Sequence, residues 1–476
     1  MRSLLGIIKV TCKSAIRSHI FQLLLVLLTL CVFILPYTIV GDGTAVGFIR
    51  ISLQYSLSVV SFILVLESIW LGCFIMGRDT ETYQIHMVIC KPVSRIKIWL
   101  GKWLGVVFIN FVLLFTSAVI IYGLVYWKFN TKKFSKNDKE RVRNEILVGR
   151  KTYYPKQKDV EKEAHRLLEQ RIDDLKSQGN DISQDQKKIG QVYRKLLENT
   201  AKAFSEVRPG KPVIWTFNKI PTDLKKDTKL FLRFKPYLNE ISTKKQRDSG
   251  GVFYVQLPNV AAQDSTDKAA KKTRYSFAPL TQMKFMTSVE HEINIPLEAI
   301  QEDGKVVIQF YNVDDLISKD PKSLFFQRSD GPLILIKEVG FFNNYLRAVS
   351  ILFFMICGIA GISCAFGGFM SIPTAIFTVS AYVIFGIMAN YFTADSFYVG
   401  SSAVNSLMVR ISSSILYLII PIQNFDKSAM LASGQLIEIA LILGVILKYL
   451  IYRAVPIMCI GMWLYYRKEM GLVIRK

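Results

Sequence analysis

Two long apolar runs on either side of a charged segment constrain this chain more than any other feature of its sequence. Residues 51–76 and 103–127 are almost free of charge. At about 25 residues each, they are long enough to cross a lipid bilayer with some tilt. Residues 77–102 between them, GRDTETYQIHMVICKPVSRIKIWLGK, are hydrophilic. The runs therefore predict membrane-spanning helices, with the charged segment at one membrane face.

Composition and charge indicate the same class of protein. The chain is 51% hydrophobic and has a net charge of +23, so apolar spans must be separated from basic parts that face water. A single compact soluble domain is excluded. Basic residues occur in residues 77–102 and at both chain ends. Those at the ends are Arg2, Lys9, Lys13, Arg17, Arg467, Lys468, Arg475 and Lys476. The positive-inside rule places these three regions in the cytoplasm.

A hydrophilic stretch, residues 128–345, holds about 41 Lys and Arg against 29 Asp and Glu. A domain of this length crosses membranes largely regardless of its charge, so it does not bear on topology. None of the seven cysteines lies between residues 91 and 356. The stretch needs no disulfide, and it is compatible with an oxidising periplasmic or extracellular compartment.

The residue pattern within this stretch changes from helical to β. Residues 128–210 are rich in charged residues with sparse leucines, which predicts a stalk of two amphipathic helices split at Gly179 and Asn180. Residues 211–345 contain short alternating runs, from VIWTF to PLILIKEV. They predict an antiparallel β-sandwich of about six to eight strands, with a loop at residues 259–274.

The N-terminal part, residues 1–127, begins with a basic amphipathic helix at residues 2–18, which is expected to lie in the membrane interface. An apolar run at residues 20–40 follows. The alternative, a cleaved secretory signal, is disfavoured because the run is too long and has no clear cleavage site. The first three spans therefore fall within this part.

The C-terminal part, residues 346–476, contains three further spans, at residues 348–370, 372–392 and 445–466. Residues 405–425 are also apolar but include Arg410 and Pro421. A crossing there would give seven spans and a basic C-terminus outside the cytoplasm. We therefore predict an α-helical polytopic membrane protein of six spans, with residues 405–425 in or dipping into the outer interface and a large α+β extracytoplasmic insert.

Enzyme signatures are missing where they would be expected. No P-loop sequence is present, since Gly101 and Lys102 are followed by Trp103 and lack the upstream glycine. The four histidines share no spacing typical of metal ligands. The sequence predicts no catalytic residue, cofactor or metal in this chain, and it gives no reason to expect nucleic acid as a partner.

Charged residues inside the predicted spans are rarer and more informative. Glu67 lies two to three turns inside the second span, where an isolated carboxylate is costly. Two interpretations are open. Either Glu67 has a functional role in a pathway through the membrane or between helices, or it only forms a local hydrogen bond to Ser68 or to a nearby helix. Arg453 and Lys448 lie in the last span. Either they extend to the outer headgroups or Arg453 has a function.

The charged segment divides into a polar helix, a turn and a return to the membrane. Arg78, Asp79 and Glu81 begin the helix, the KPVSR sequence at residues 91–95 turns the chain, and Lys102 belongs to a Gly-Lys-Trp interface anchor. A short helix projecting from two spans is suited to docking a partner. An ordinary basic loop is the alternative.

GRDTETYQIHMVICKPVSRIKIWLGKWLG resembles the intracellular segment of type-2 ABC transporter permeases. The resemblance is extended by YLIIPIQNFD at residues 417–426 and by LYYRKEMG near the C-terminus. It covers residues 1–127 and 346–476 and departs from the family at residues 83–88. The matching positions are Arg78, Asp79, Thr82, residues 92–95, Gly101 and Lys102. The residues of this segment expected to couple the chain to an ATPase are Arg78, Asp79, Glu81, Thr82, Lys91, Pro92, Ser94, Arg95 and Lys102.

The resemblance implies a permease subunit of the bacterial inner membrane, paired with a second permease subunit as a homo- or heterodimer. Residues 77–102 would form the coupling helix for a separate ABC ATPase subunit, which holds the ATP and Mg²⁺. Residues 367–373 would add a second, smaller cytoplasmic contact. The implied function is export or extraction of a substrate.

The insert at residues 128–345 would then face the periplasm and set specificity for a lipid, a glycan or a partner protein. Its basic charge favours acidic ligands. A solvated spacer is the alternative. Two further functions remain open for the whole chain: a mechanical relay to a periplasmic partner without translocation, and a membrane-anchored binding or scaffold protein that transports nothing.

Overall fold

The protein is described here from a computed structural model that covers residues 2–38, 44–81, 93–131, 134–156, 159–177, 186–225, 228–238, 248–258, 275–313, 322–327, 330–395 and 417–467. These residues form two compact units. The helical unit contains the described residues of Met1–Gly149, Val339–Val399 and Ala403–Lys476. The mixed unit contains the described residues of Arg150–Glu338.

The described helices follow one another along the chain with one long interruption by strands. They are α1 (Arg2–Ile16), α2 (His19–Thr38), α3 (Ala45–Glu81), α4 (Arg95–Thr131), α5 (Lys136–Glu145), α6 (Val160–Ser177), α7 (Gln186–Ser205), α8 (Phe341–Phe369), α9 (Ile372–Asp395), α10 (Ser428–Ala432), α11 (Ile439–Val445) and α12 (Val455–Arg467). A π-helical segment, Ile446–Ala454, joins α11 to α12.

Five of these helical runs are long and apolar enough to cross a membrane. They are Ala45–Asp79, Arg95–Thr131, Phe341–Phe369, Ile372–Ala389 and Ile439–Arg467. Leu4–Ile16 and His19–Leu35 meet at an angle of 75° and add a sixth candidate if the bent pair is one span. By length and composition, this is a multi-pass membrane protein.

Helices α3 and α4 are longer than the apolar runs that predicted them. Each has 37 residues, or about 55 Å at 1.5 Å per residue, well beyond the hydrocarbon thickness of a bilayer. Helix α3 is mostly buried and packs against α2, α4, α8, α9 and α10. It therefore forms the centre of the helical unit.

The segment before the last helical run contains no long helix in its described part. Of the predicted outer segment 405–425, residues 405–416 lie outside the described residues. The rest comprises two helical residues, an irregular stretch at residues 419–421 and the 3₁₀ turn Ile422–Asn424, followed by the short α10. Ser58 on α3 donates to Asp426 Oδ2 at 3.0 Å. The segment is therefore held against the bundle by α3.

The mixed unit contains three sheets. Its strands are β1 (Val148–Tyr153), β2 (Glu206–Val207), β3 (Pro212–Phe217), β4 (Leu230–Phe234), β5 (Pro236–Leu238), β6 (Asp248–Pro258), β7 (Tyr275–Met286), β8 (His291–Ile295), β9 (Val306–Asn312), β10 (Leu324–Phe326) and β11 (Leu333–Gly340). The orders are β1-β11-β4-β8, β3-β9-β6-β7 and β2-β10-β5. The registered pairs are antiparallel, for example Val213 with Phe310 and Phe231 with Asn294.

The alternating runs of the sequence lie on these strands because one side of each run is buried. In β9, Val306, Ile308 and Phe310 are buried and alternate with more exposed residues. The rings of Phe234 on β4 and Phe253 on β6 are 4.6 Å apart. The two four-stranded sheets therefore contribute to one aromatic core.

The two predicted amphipathic helices correspond to α6 and α7. Gly179 and Asn180, at which they were predicted to separate, lie outside the described residues, as does the predicted loop at residues 259–274. The structure adds α5, β1 and β2 in residues 128–210, where only two helices were expected. Strand β1 escapes a pattern search because its buried residues are consecutive rather than alternating, and one of them is Arg150.

A buried cluster of charges joins the strands of the first sheet. Glu292 on β8 receives hydrogen bonds from Arg150 at 2.8 and 3.0 Å and from Arg233 at 2.7 Å. Both arginines are almost completely buried. Burial alone would raise the pKa of Glu292, but the two guanidinium groups outweigh it, so its pKa lies below its usual value.

Candidate functional site

The end of the helical unit at which α3 ends and α4 begins brings together most of the described residues that the sequence predicted to couple to an ATPase. We call it the α3–α4 end, defined by residues 75–81 and 94–102. Helix α1, the turn between α8 and α9, and the end of α12 also contact it. The side chains there tie these elements to one another.

Lys102 provides the strongest of these links. Its Nζ lies 2.8 Å from Asp79 Oδ2 and donates to the carbonyl oxygen of Ile75 at 2.8 Å. The lysine is 5% exposed, so its charge is taken out of water and depends on these acceptors. Lys102 therefore joins the first turns of α4 to the last turns of α3.

Glu81 links the end of α3 to the beginning of α9. Its carboxylate accepts a hydrogen bond from the backbone N–H of Ile372 at 3.3 Å. A helix begins with unpaired N–H groups and a positive dipole end, so a carboxylate there is favourable. Gly77 allows the approach, because a Cβ at that position would lie 2.4 Å from Ile372 Cγ1.

The turn between α8 and α9 lies against α3 as well. A Cβ at Gly367 would lie 2.7 Å from Cα of Cys73, so any larger residue would push the two helices apart. Residues 367–373 were predicted as a second contact for the ATPase. They adjoin the first predicted contact, because both pack on the last turns of α3.

Two arginines connect the α3–α4 end to the two ends of the chain. Arg78 Nη1 donates to Ser14 Oγ at 3.2 Å, and its guanidinium lies 5.4 Å from the ring centre of Phe74. Arg95 Nη1 donates to the carbonyl oxygen of Tyr466 at 2.8 Å. Helices α1 and α12 are therefore attached to the same site.

The remaining predicted coupling residues have a smaller structural role or are not described. Ser94 precedes α4, and its Oγ accepts from the backbone N–H of Lys97 at 3.4 Å, a weak N-cap. Thr82, Lys91 and Pro92 lie outside the described residues. The residues on both sides of the 82–92 segment are held, at Glu81 on one side and Arg95 on the other.

Glu67 lies inside the helical unit, away from the α3–α4 end. Its side chain is 1% exposed, and Oε1 has no hydrogen-bond partner in the described part of the chain. Ser68, the expected local partner, instead donates to the carbonyl oxygen of Leu64 at 2.7 Å and to Asn110 Oδ1 at 3.1 Å. The local explanation through Ser68 is therefore not what the structure contains.

Arg453 is buried within the π-helical segment. One alternative from the sequence, that its side chain extends to the lipid headgroups, is therefore not what the structure contains. Its Nη1 donates to the carbonyl oxygen of Ile419 at 2.5 Å, and its guanidinium lies 4.6 Å from the ring centre of Tyr417 and 5.2 Å from that of Tyr449. Lys448, by contrast, is exposed. Arg453 thus satisfies a backbone carbonyl in a segment without regular helix.

Tyr382 on α9 completes the support of this segment. Its hydroxyl donates to the carbonyl oxygen of Leu418 at 2.9 Å and accepts from the N–H of Ile420 at 3.0 Å. Backbone groups outside regular helix are tolerated in a helical membrane protein where other protein groups satisfy them. Arg453 and Tyr382 together supply those groups for residues 418–420.

Several residues of these sites are not singled out by the sequence. Ser14 and Tyr382 are ordinary residues in apolar or amphipathic stretches, and backbone acceptors such as the carbonyl of Tyr466 leave no mark in a sequence. Asn110 carries a usable signal, since it is an amide inside a predicted span. Gly77 and Gly367 would be detectable only if their close neighbours were known.

No protein-family model matches the chain, and no curated protein and no solved structure matches it. The similarity to type-2 ABC transporter permeases therefore rests on the sequence motifs alone.

Proposed function

We propose that this chain is the membrane-spanning permease subunit of an ATP-driven ABC transporter of the bacterial inner membrane. A separate ATPase subunit, which holds ATP and Mg²⁺, docks on residues 77–102 and drives export or extraction of a substrate. The mixed unit lies in the periplasm and sets specificity for a substrate or partner.

The observation that carries the proposal is the network at the α3–α4 end. Lys102 and Asp79 join α3 to α4, and Glu81 joins α3 to α9. A displacement applied to the segment between Glu81 and Arg95 would reach α3, α4 and α9 through these contacts. A switch of this kind requires contacts that differ between two states of a helix bundle.

The finer architecture belongs to the same proposal. It comprises six spans with both termini in the cytoplasm, a helical stalk, a β-sandwich and a dimer of permease subunits. The bent pair α1–α2 supports six spans, because the two helices together are long and apolar enough to be a sixth crossing. The Phe234–Phe253 contact between the two four-stranded sheets supports the sandwich.

Co-purification tests the proposal. The full chain, tagged and purified in detergent from its native host, is expected to retain a P-loop ATPase. Deletion of residues 80–90 and the charge reversals Arg95→Glu and Lys97→Glu are expected to abolish the association. Lys97 is exposed, so its variant tests the surface without the loss of the Arg95–Tyr466 hydrogen bond.

Lys211→Glu is the matched control, since it makes the same charge change at an exposed position of the mixed unit. It is expected to leave the ATPase bound. Failure of the parent chain to retain any P-loop ATPase would exclude the transporter and favour a membrane-anchored scaffold. A retained ATPase with no movement of any substrate across vesicles would favour the mechanical relay.

A further inference from the structure

The mixed unit contains a half-open pocket of about 250 Å³, with more apolar than polar surface, that the proposed function leaves unassigned. It lies where the C-terminal turn of α7 meets β3 and the residues that follow β1. Its lining includes Tyr154, Val160, Phe204, Val213, Trp215 and Phe326. An enclosed apolar cavity of about 150 Å³ holds a benzene-sized molecule, so the volume of this pocket is sufficient for a longer apolar group.

The floor of the pocket is a fixed aromatic surface. The ring centres of Trp215 and Phe326 are 5.2 Å apart in an edge-to-face arrangement, and those of Trp215 and Phe310 are 6.0 Å apart and stacked. Phe310 and Phe326 belong to the buried core of the mixed unit. The aromatic wall is therefore preformed, which is typical of small-molecule sites.

The rim of the pocket exposes large apolar side chains. Ile214 is 53% exposed, Tyr154 is 50% exposed and Phe204 is 37% exposed. Single exposed apolar residues are common, but three that line one pocket are a feature of surfaces that bind ligands. The ligand must therefore present an apolar part that extends beyond the pocket.

The charge at the rim indicates which kind of polar headgroup the ligand carries. Among the described lining residues, Lys156 alone carries a charged side chain, and none is a carboxylate. The backbone of Lys156 is held in place, because its N–H donates to the carbonyl oxygen of Thr216 at 2.7 Å and the preceding Pro155 pairs with Phe217. The rim is thus complementary to a single negative charge.

We propose that this pocket binds a single-chain amphiphile with an anionic headgroup, with its chain on Trp215 and its headgroup at Lys156. The site would give the proposed transporter its substrate class, and that part of the inference rests on the proposed function. Binding itself requires neither an ATPase nor transport.

Photo-crosslinking in the full chain, reconstituted in lipid nanodiscs, tests the site. The probe is a decanoate with a diazirine at the end of its chain, and labelled peptides are mapped by mass spectrometry. We expect label on peptides that contain residues 201–215, together with label on the membrane helices. The latter reports that the probe reached the protein. Absence of label from residues 201–215 would overturn the proposal.

Filling the pocket provides the specific control. Ala201→Trp places a large ring at a lining position and is expected to reduce the label on the mixed unit at least tenfold, with the membrane label unchanged. Ala203→Trp adds the same ring at an exposed position of α7 outside the lining and is expected to leave the label as it is. Equal labelling of both variants would contradict the assignment.

The headgroup is tested by competition and by charge removal. Decanoate is expected to compete at least fivefold better than decyltrimethylammonium, and Lys156→Gln to remove that preference. Lys151→Gln, which removes a charge outside the lining, is expected to preserve it. Equal competition by the two amphiphiles would refute the anionic headgroup. If the parent chain retains no ATPase but is labelled as expected, the proposed transporter is refuted and this site still stands.

Discussion

The two units of this protein bury charged side chains in different ways. In the mixed unit, Glu292 lies between Arg150 and Arg233, so each buried charge has an opposite charge in contact. In the helical unit, Lys102 is paired with Asp79, but Glu67 has no ion pair in the part of the chain that the structure describes, and Arg453 bonds to a backbone carbonyl. The ion pairs with Arg150 and Arg233 explain how Glu292 can be buried. No ion pair among the described residues explains the burial of Glu67, which makes Glu67 a stronger candidate for a functional role than Glu292.

The largest effect is expected at Glu292. Glu292→Ala leaves two buried guanidinium groups without their carboxylate and should destabilise the mixed unit by about 3–5 kcal/mol. Hydrogen exchange of β4 and β8 in the full chain measures the loss of protection. Glu163→Ala removes an exposed partner of Arg166 and is the control, with no change expected. Unchanged protection in the Glu292 variant would remove the contrast between the units.

Acid should weaken the mixed unit through the same residue. The pKa of Glu292 is lower in the folded protein than its usual value of about 4.3. Its stabilising contribution is therefore present above about pH 4.3 and is lost as the pH falls through the lower, folded pKa. Protection of β4 and β8 should fall over this range. In Glu292→Gln, the protection of β4 and β8 should already be low at neutral pH, and it should not fall further over this pH range.

An intermediate effect is expected for the ion pair at the α3–α4 end. A double-mutant cycle of Lys102→Met and Asp79→Asn should give a coupling energy of about 0.5–3 kcal/mol in thermal unfolding of the detergent-solubilised chain. The Asp303–Lys305 pair, in which both side chains are exposed, provides the control cycle, for which less than about 0.5 kcal/mol is expected. Equal coupling energies in the two cycles would show that the burial of Lys102 does not strengthen its interaction with Asp79.

A smaller effect is expected for Glu81. Glu81→Ala removes the acceptor for the Ile372 N–H and should weaken the first turn of α9 by about 0.5–1 kcal/mol. Faster hydrogen exchange in residues 372–376 measures it. Glu438 precedes α11 without a side-chain cap, so Glu438→Ala should leave its helix unaffected. If α9 exchanges at the same rate in both variants, the link from α3 to α9 is not energetically significant.

The smallest effect on stability is expected for Glu67. Glu67→Gln should change stability by less than about 1 kcal/mol, because no ion pair is lost with the charge. Thermal unfolding measures this beside the large change at Glu292. The ATPase activity of the complex proposed above then separates a functional carboxyl from an inert one. If both Glu67→Gln and Glu67→Ala leave assembly and activity unchanged, a pathway role for Glu67 is excluded.

Much of the fold was predictable because long patterns report on it. Apolar runs of span length predicted α3, α4, α8 and α9, and alternating runs predicted strands such as β9. Strand β1 was missed because Arg150, a residue expected at the surface, is buried there by a carboxylate that lies 142 residues away in the sequence. Local patterns cannot anticipate a distant counter-charge.

The site was predictable as a set of residues but not as a set of contacts. Charge and the motif around residues 77–102 indicated Asp79, Glu81, Arg95 and Lys102. Neither indicated that Glu81 reaches Ile372 or that Arg95 reaches the carbonyl oxygen of Tyr466. Backbone acceptors have no sequence signal, since every residue carries one.

By itself, the sequence determined that this is a multi-pass membrane protein with a large hydrophilic insert, because hydropathy and periodicity act over many neighbouring residues. Only the tertiary structure decided how the α3–α4 end is tied together, which buried charges are paired, and where the mixed unit keeps a half-open pocket. These features depend on groups far apart in the chain, and distances of a few ångströms between them set their energies.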